Sequence, residues 1–234
     1  MVSTSQNVAK ELSALGNPEK AVFLAGFFKT GKGQYAEGDV LIGVTVPEQR
    51  KIAKKFRDIP LDQVSFLLTN KIHEFRLTAL FILVLQYQKG DADTKKKIFD
   101  FYLKHRRYVN NWDLVDSSAP HIVGDFLLDK DRSILYDYAR GKSLWDRRIA
   151  VVATQRFIRE GQFEDTLKIS EILLKDSHDL IHKAAGWMLR EVGDRDRAAL
   201  ESFLKKHCRA MPRTMLRYAI EHFEPEERKK YLER

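Results

Sequence analysis

The segment Asn110-Asn111-Trp112-Asp113-Leu114-Val115-Asp116 holds the densest chemistry in this sequence. Residues four apart share a helix face, so a helix starting here projects the Trp112 indole and the Asp116 carboxylate together. A carboxylate beside a large π-face suits a cationic, electron-poor ligand, with cation–π attraction of about 0.5–2 kcal/mol. Pro120 lies four residues beyond Asp116. It has no N–H, and its ring clashes with the carbonyl of residue 116, so the helix should loosen or kink there. The same residues also make an ordinary helix start, with Asn110 or Asn111 as cap, Asp113 favouring the N-terminal dipole and Trp112 in the core. Spacing alone leaves both readings open.

Further candidates lie toward the C-terminus. Gly186-Trp187-Met188-Leu189-Arg190-Glu191 sets a second tryptophan beside a small residue that allows close approach. Met211-Pro212-Arg213-Thr214-Met215-Leu216-Arg217 puts Arg213 and Arg217 on one helix face, an arrangement suited to successive phosphates. Lys104-His105-Arg106-Arg107 is a basic turn that could touch phosphate or simply end a helix in solvent.

Other resemblances to known motifs fail on chemistry. Gly26 to Lys32 matches G-x-x-x-x-G-K, but Gly33 follows where a phosphate-binding loop needs Ser or Thr for Mg²⁺, and Gly26 lies within a helical pattern. Lys29 to Gly38 reads instead as a flexible basic loop. His178 and His182 have metal-compatible spacing, yet no third ligand is evident.

The elements that must position these residues are helices. Asn17-Pro18 opens one with a cap and an N1 proline, Pro47 opens another and Pro60 a third. Apolar residues then recur at spacings of three and four over 73–88, 94–105, 112–128, 131–139, 144–159, 163–175, 178–192, 196–207, 212–222 and 225–233. Only Val40-Leu41-Ile42-Gly43-Val44 is ambiguous. Matching Ala79, Ala150 and Ala185 brings the basic residues Arg76, Arg147 and Lys183 close to one register. These alanines are spaced by roughly 35 to 70 residues, one or two helical hairpins. The pattern predicts an all-α solenoid of HEAT or armadillo type, its stacked hairpins burying a continuous core and running as one domain over residues 1–234. Arg148 is an anomaly in that register, a charge two residues before its alanine where the first copy has Leu77.

Composition bounds the function. The chain has 234 residues, 44% of them hydrophobic, enough for a sizeable core. No apolar run approaches the roughly 18 residues of a membrane span, and the first residues lack the pattern of a signal peptide. Cys208 is the single cysteine, which excludes an internal disulfide and a cysteine-rich zinc site. These features predict a cytoplasmic protein. The net charge of +8 favours a polyanionic partner.

Taken in order, several motifs resemble the DNA alkylation repair family, the AlkD-like DNA glycosylases built from HEAT-like repeats. They are Asn17-Pro18-Glu19-Lys20-Ala21, Ile42 to Arg50, Asn111 to Ser117, Trp145-Asp146-Arg147-Arg148, Ala184 to Glu191 and Arg213 to Tyr218. The resemblance implies that Asp116 is the catalytic carboxylate, that Trp112 and Trp187 are the site tryptophans and that Arg148 is the site arginine, holding a backbone phosphate and keeping Asp116 ionised by its charge. It further implies excision of cationic N3- and N7-alkylated purines, such as 3-methyladenine and 7-methylguanine, from double-stranded DNA by a monofunctional enzyme. That enzyme would be a monomer without metal, cofactor or nucleotide, and with no membrane partner. Arg148, Lys183, Arg190, Arg213 and Arg217 would meet the DNA backbone from the basic concave face of a curved superhelix. Phe27 stands where the family pattern leads one to expect an aromatic with a hydroxyl. Two alternatives carry different expectations: a relative that binds distorted or branched DNA without excision, and a helical scaffold for other proteins.

Overall fold

The computed structural model describes residues 4–233. It consists of two compact units, Met1–Ile122 and Val123–Arg234. In the first unit α1 (Ser5–Ala14), α2 (Pro18–Phe27), α3 (Val46–Lys55), α4 (Leu61–Leu68), α5 (His73–Lys89), α6 (Ala92–His105) and α7 (Trp112–Asp116) follow one another. A π-helical turn, Pro120–Gly124, comes next. The second unit then adds α8 (Asp125–Leu127), α9 (Ser133–Arg140), α10 (Leu144–Ala153), α11 (Gln155–Arg159), α12 (Glu164–Ile172), α13 (Asp179–Gly193), α14 (Arg197–His207), α15 (Arg213–Ala219) and α16 (Pro225–Leu232). The fold is all-α, as the apolar periodicity predicts. Among the described residues there is no strand; the ambiguous stretch after Asp39 is extended and makes a single parallel bridge, Val40 to Ile72.

The helix starts follow from the sequence. Asn17 accepts from the Lys20 amide at 2.9 Å, with Pro18 in the first turn. Thr45 and Glu48 form a capping box that opens α3, and Pro47 sits in its first turn. Such caps satisfy amides that a helix cannot satisfy internally. α1 was not evident from periodicity; Thr4 caps it, and Val8 and Leu12 bury its inner face. The long pattern expected over 112–128 breaks as Pro120 requires: α7 ends at Asp116, and the chain passes through the π-turn before α8.

Within the first unit α5 packs on α3 and α4. Every residue from His73 to Leu83 is buried, so this helix is enclosed on all sides rather than amphipathic. Within the second unit α13 packs on α10, α14 and most extensively on α15. Gly186 makes the last contact possible: a methyl there would lie 2.5 Å from the Met215 carbonyl oxygen and 2.5 Å from Tyr218 Cβ.

The repeat shows in a shared joint. Arg76 Nη1 donates to the carbonyls of Asn70 and Lys71 at 3.0 and 3.2 Å. Arg147 Nη1 donates to those of Gly141 and Lys142 at 3.2 and 2.8 Å, again six and five residues back. The third member is His182, whose Nε2 donates to the Asp176 carbonyl at 2.6 Å, six residues back. Lys183, which the alanine matching brought near this register, is one residue late and instead pairs with Asp179 at 2.8 Å. Each basic side chain therefore ties a helix of the hairpin to the turn that precedes it.

Candidate functional site

α7 is anchored before it displays anything. Asn111 rather than Asn110 is its cap, accepting from the Trp112 amide at 2.8 Å. Asp113 does more than favour the helix dipole. Its Oδ2 lies 2.8 Å from His73 Nε2, and the other ring nitrogen of His73 lies 3.1 Å from Asp39 Oδ2. Asp39 also accepts from Arg76 Nη2 at 2.6 Å. His73 is only 1% exposed. Burial by itself would lower its pKa, but the Asp113 carboxylate, reinforced by hydrogen bonding to Asp113 and Asp39, more than reverses this and raises it to about 9. Asp39 also resists the upward pull of burial, because His73 and Arg76 hold its carboxyl below the ordinary value.

Aromatic rings continue this network outward. Phe28 lies over His73 with centroids 4.7 Å apart and stacks on Trp112 at 5.5 Å. Phe27 meets Trp112 edge-on at 5.8 Å and remains 53% exposed. Phe23, one turn earlier on α2, is 72% exposed. Trp112, Asp116, Phe23, Phe27 and Val46 line a largely apolar cleft of 590 Å³, with His73 and Asp113 at its floor. The i, i+4 pair of α7 thus faces one cavity, as its spacing predicts.

The opposite wall depends on a tight loop. Glu74, buried at the start of α5, accepts from the amides of Ile42 and Gly43 at 3.0 and 2.8 Å. Gly43 has φ +82°, and a methyl there would lie 2.1 Å from the Asn17 carbonyl oxygen. Only glycine fits such a position.

In the second unit Arg148 is 5% exposed and donates from Nη1 to the Leu180 carbonyl at 2.5 Å, holding the first turn of α13. Trp187 is half-buried on α13, its Nε1 donating to Glu191 at 2.9 Å. Arg190 pairs with Glu221. Arg213 and Arg217 are exposed on α15, the former donating to the Leu232 carbonyl at 2.5 Å. The basic turn after α6 is partly committed: His105 stacks on Phe101, Arg106 donates to the Leu103 carbonyl, and Arg107 donates to the Tyr108 hydroxyl. Gly26 lies inside α2, away from any phosphate-loop geometry.

Sequence reasoning missed Asp39, His73 and Glu74. No local spacing links residue 39 to 73 or 113, and a histidine opening a helix carries no distinctive pattern. The one available signal was the basic register of Arg76, which marks the joint that Asp39 completes.

The protein is thus built of helices throughout, and its first unit carries an aromatic cleft bordered by the carboxylates of Glu74, Asp113 and Asp116. A model of the family described as DNA alkylation repair enzyme matches residues 8–223. The chain belongs to that family, which gives it a role in the repair of alkylated DNA. No curated protein matches it. Among solved structures, one from Enterococcus faecalis, described as a predicted DNA alkylation repair enzyme, shares the fold with a TM-score of 0.71. The two chains are 17% identical, and the likeness covers 90% of this chain and 97% of that one.

Proposed function

We propose that the protein is a monofunctional DNA glycosylase that removes cationic N3- and N7-alkylated purines from duplex DNA and leaves an abasic site. The observation that carries this reading is the placement of Trp112 and Asp116 on the wall of one aromatic cleft. Alkylation at N3 or N7 gives the base a positive charge, so it departs with the glycosidic electron pair as a neutral purine and needs no protonation. Positive charge develops on the deoxyribose as the bond breaks. A carboxylate beside the sugar stabilises that oxocarbenium character or aligns the attacking water. Water then supplies a hydroxyl to C1′ and releases a proton. Trp112 flanks the cationic nucleotide, with Phe27 extending the same surface, and attraction between cation and ring favours the damaged base over a neutral one.

The family resemblance implies a second flanking indole at Trp187, which is half-buried on α13 of the second unit. Arg148 acts as a positioning residue rather than a phosphate clamp, because its 5% exposure leaves little of it to meet a phosphate and its guanidinium holds the start of α13. Phosphate contact falls to Arg213 and Arg217, which are exposed, and to Lys183 and Arg190 once they exchange Asp179 and Glu221 for DNA. Binding then weakens with salt, with a log–log slope of about −0.9 per phosphate neutralised.

Release of 7-methylguanine from methylated duplex DNA tests the reading. The wild-type protein should release it, and Asp116→Asn should bind the same DNA while releasing almost none. Equal release by both proteins would remove Asp116 from the mechanism. Binding without release by the wild type would leave a DNA-binding protein and no glycosylase.

A further inference from the structure

Asp116 borders two cavities. Besides the aromatic cleft it lines a second of 580 Å³, where basic and polar side chains stand over an apolar wall of Ala53, Phe81, Val84 and Leu85. Arg50 and Lys54 enter this cleft from α3, four residues apart and so on one helix face. Both are exposed, and neither has an acidic partner among the described residues. The Arg50 guanidinium rests 4.1 Å above the Phe81 ring, a contact that holds the long side chain along the cleft wall. His121, on the π-turn, adds a further nitrogen-bearing side chain. Two cations facing one carboxylate leave the cleft with surplus positive charge. That surplus suits a singly charged oxyanion bound beside, and not on, Asp116.

We infer that Arg50 and Lys54 hold a DNA backbone phosphate adjacent to the sugar that Asp116 faces. This rests on the reading of Asp116 given above and extends it to the first unit, where no phosphate contact is otherwise assigned. A nucleotide spans base, sugar and phosphate in that order. The aromatic cleft, Asp116 and the basic cleft follow the same order. A phosphate fixed by two side chains sets the distance from the sugar to Asp116, the kind of positioning on which a rate depends steeply.

The test uses the full chain and a duplex carrying one tetrahydrofuran abasic analogue, with neutral methylphosphonate placed at single positions around it. Arg50→Gln/Lys54→Gln should fold normally, since both side chains are exposed. Its salt slope should be shallower by about one, the signature of one lost phosphate contact. One methylphosphonate position next to the abasic site should weaken wild-type binding about tenfold and leave the double variant unchanged. Lys96→Gln on α6, outside the cleft, measures the loss expected from removing any surface charge. If the double variant matches Lys96→Gln in slope, and every methylphosphonate costs it as much as the wild type, the inference is wrong while excision by the wild type stands. If the wild type neither binds this duplex nor excises 7-methylguanine, the underlying reading fails and takes the inference with it.

Discussion

His73 Nε2 and Asp113 Oδ2 lie 2.8 Å apart in the floor of the aromatic cleft, joining α5 to the helix that carries Trp112 and Asp116. The contact fixes α7 at its second residue, so the display of its indole and carboxylate depends on a buried ion pair. Removing one partner of such a pair leaves an uncompensated buried charge and costs about 3–5 kcal/mol. His73→Gln should therefore lower the unfolding free energy by that order in denaturant titration, and tryptophan emission should shift as Trp112 loses its support through Phe28. An unchanged midpoint would show that the pair contributes nothing.

The same histidine gives stability a defined pH dependence. Its folded pKa of about 9 stands above the ordinary 6.5, so the folded state holds the proton more tightly. The stabilisation is complete below about pH 6.5 and is lost as pH rises through about 9. Thermal melts between pH 6 and pH 10 should show the gap between wild type and His73→Gln closing toward the alkaline end. A gap that is constant or widens would contradict the assignment.

Gly43→Ala should be among the most damaging single-methyl changes in the chain. The residue combines φ +82° with a methyl position 2.1 Å from a backbone oxygen, so neither strain nor clash can relax without moving the loop. A loss of about 2–4 kcal/mol is expected from the two effects together. Gly26→Ala, with no atom within 4 Å of the new methyl, is the matched control and should be neutral or slightly stabilising.

Phe27→Leu separates function from folding. The ring is 53% exposed, so its loss should change stability by less than about 1 kcal/mol. If it forms part of the surface that flanks the damaged nucleotide, single-turnover excision should fall by about tenfold, and Phe27→Tyr should retain it. Full activity in Phe27→Leu would remove this ring from the site.

Most of the architecture was legible in the sequence because helices announce themselves through local spacing. The cap at Asn17, the proline that opens α3 at Pro47 and the break at Pro120 each act within one or two turns, and all occur where their chemistry predicts; Gly186 announced a close approach but not that Met215 and Tyr218 make it. The shared face of Trp112 and Asp116 was legible for the same reason. The floor beneath them was not. Asp39, His73 and Asp113 meet only because a loop, a buried helix and a short helix converge, and no pattern along the chain encodes that meeting. Arg148 shows a further limit: its residue type marked it as unusual, but only the fold reveals that its guanidinium reaches the Leu180 carbonyl and is largely hidden.

The joints of the repeat are unequal in a way that bears on how the protein opens. Arg76 and Arg147 each bind two carbonyls and a carboxylate, whereas His182 binds one carbonyl. In a chain whose hairpins are stabilised mainly by their neighbours, local opening begins where the ties are fewest. The turn before α13 resists this despite its single His182 tie, because Arg147 also holds the Asp176 carboxylate and Arg148 the Leu180 carbonyl. The helix that carries Trp187 is therefore held at its start by two arginines of α10.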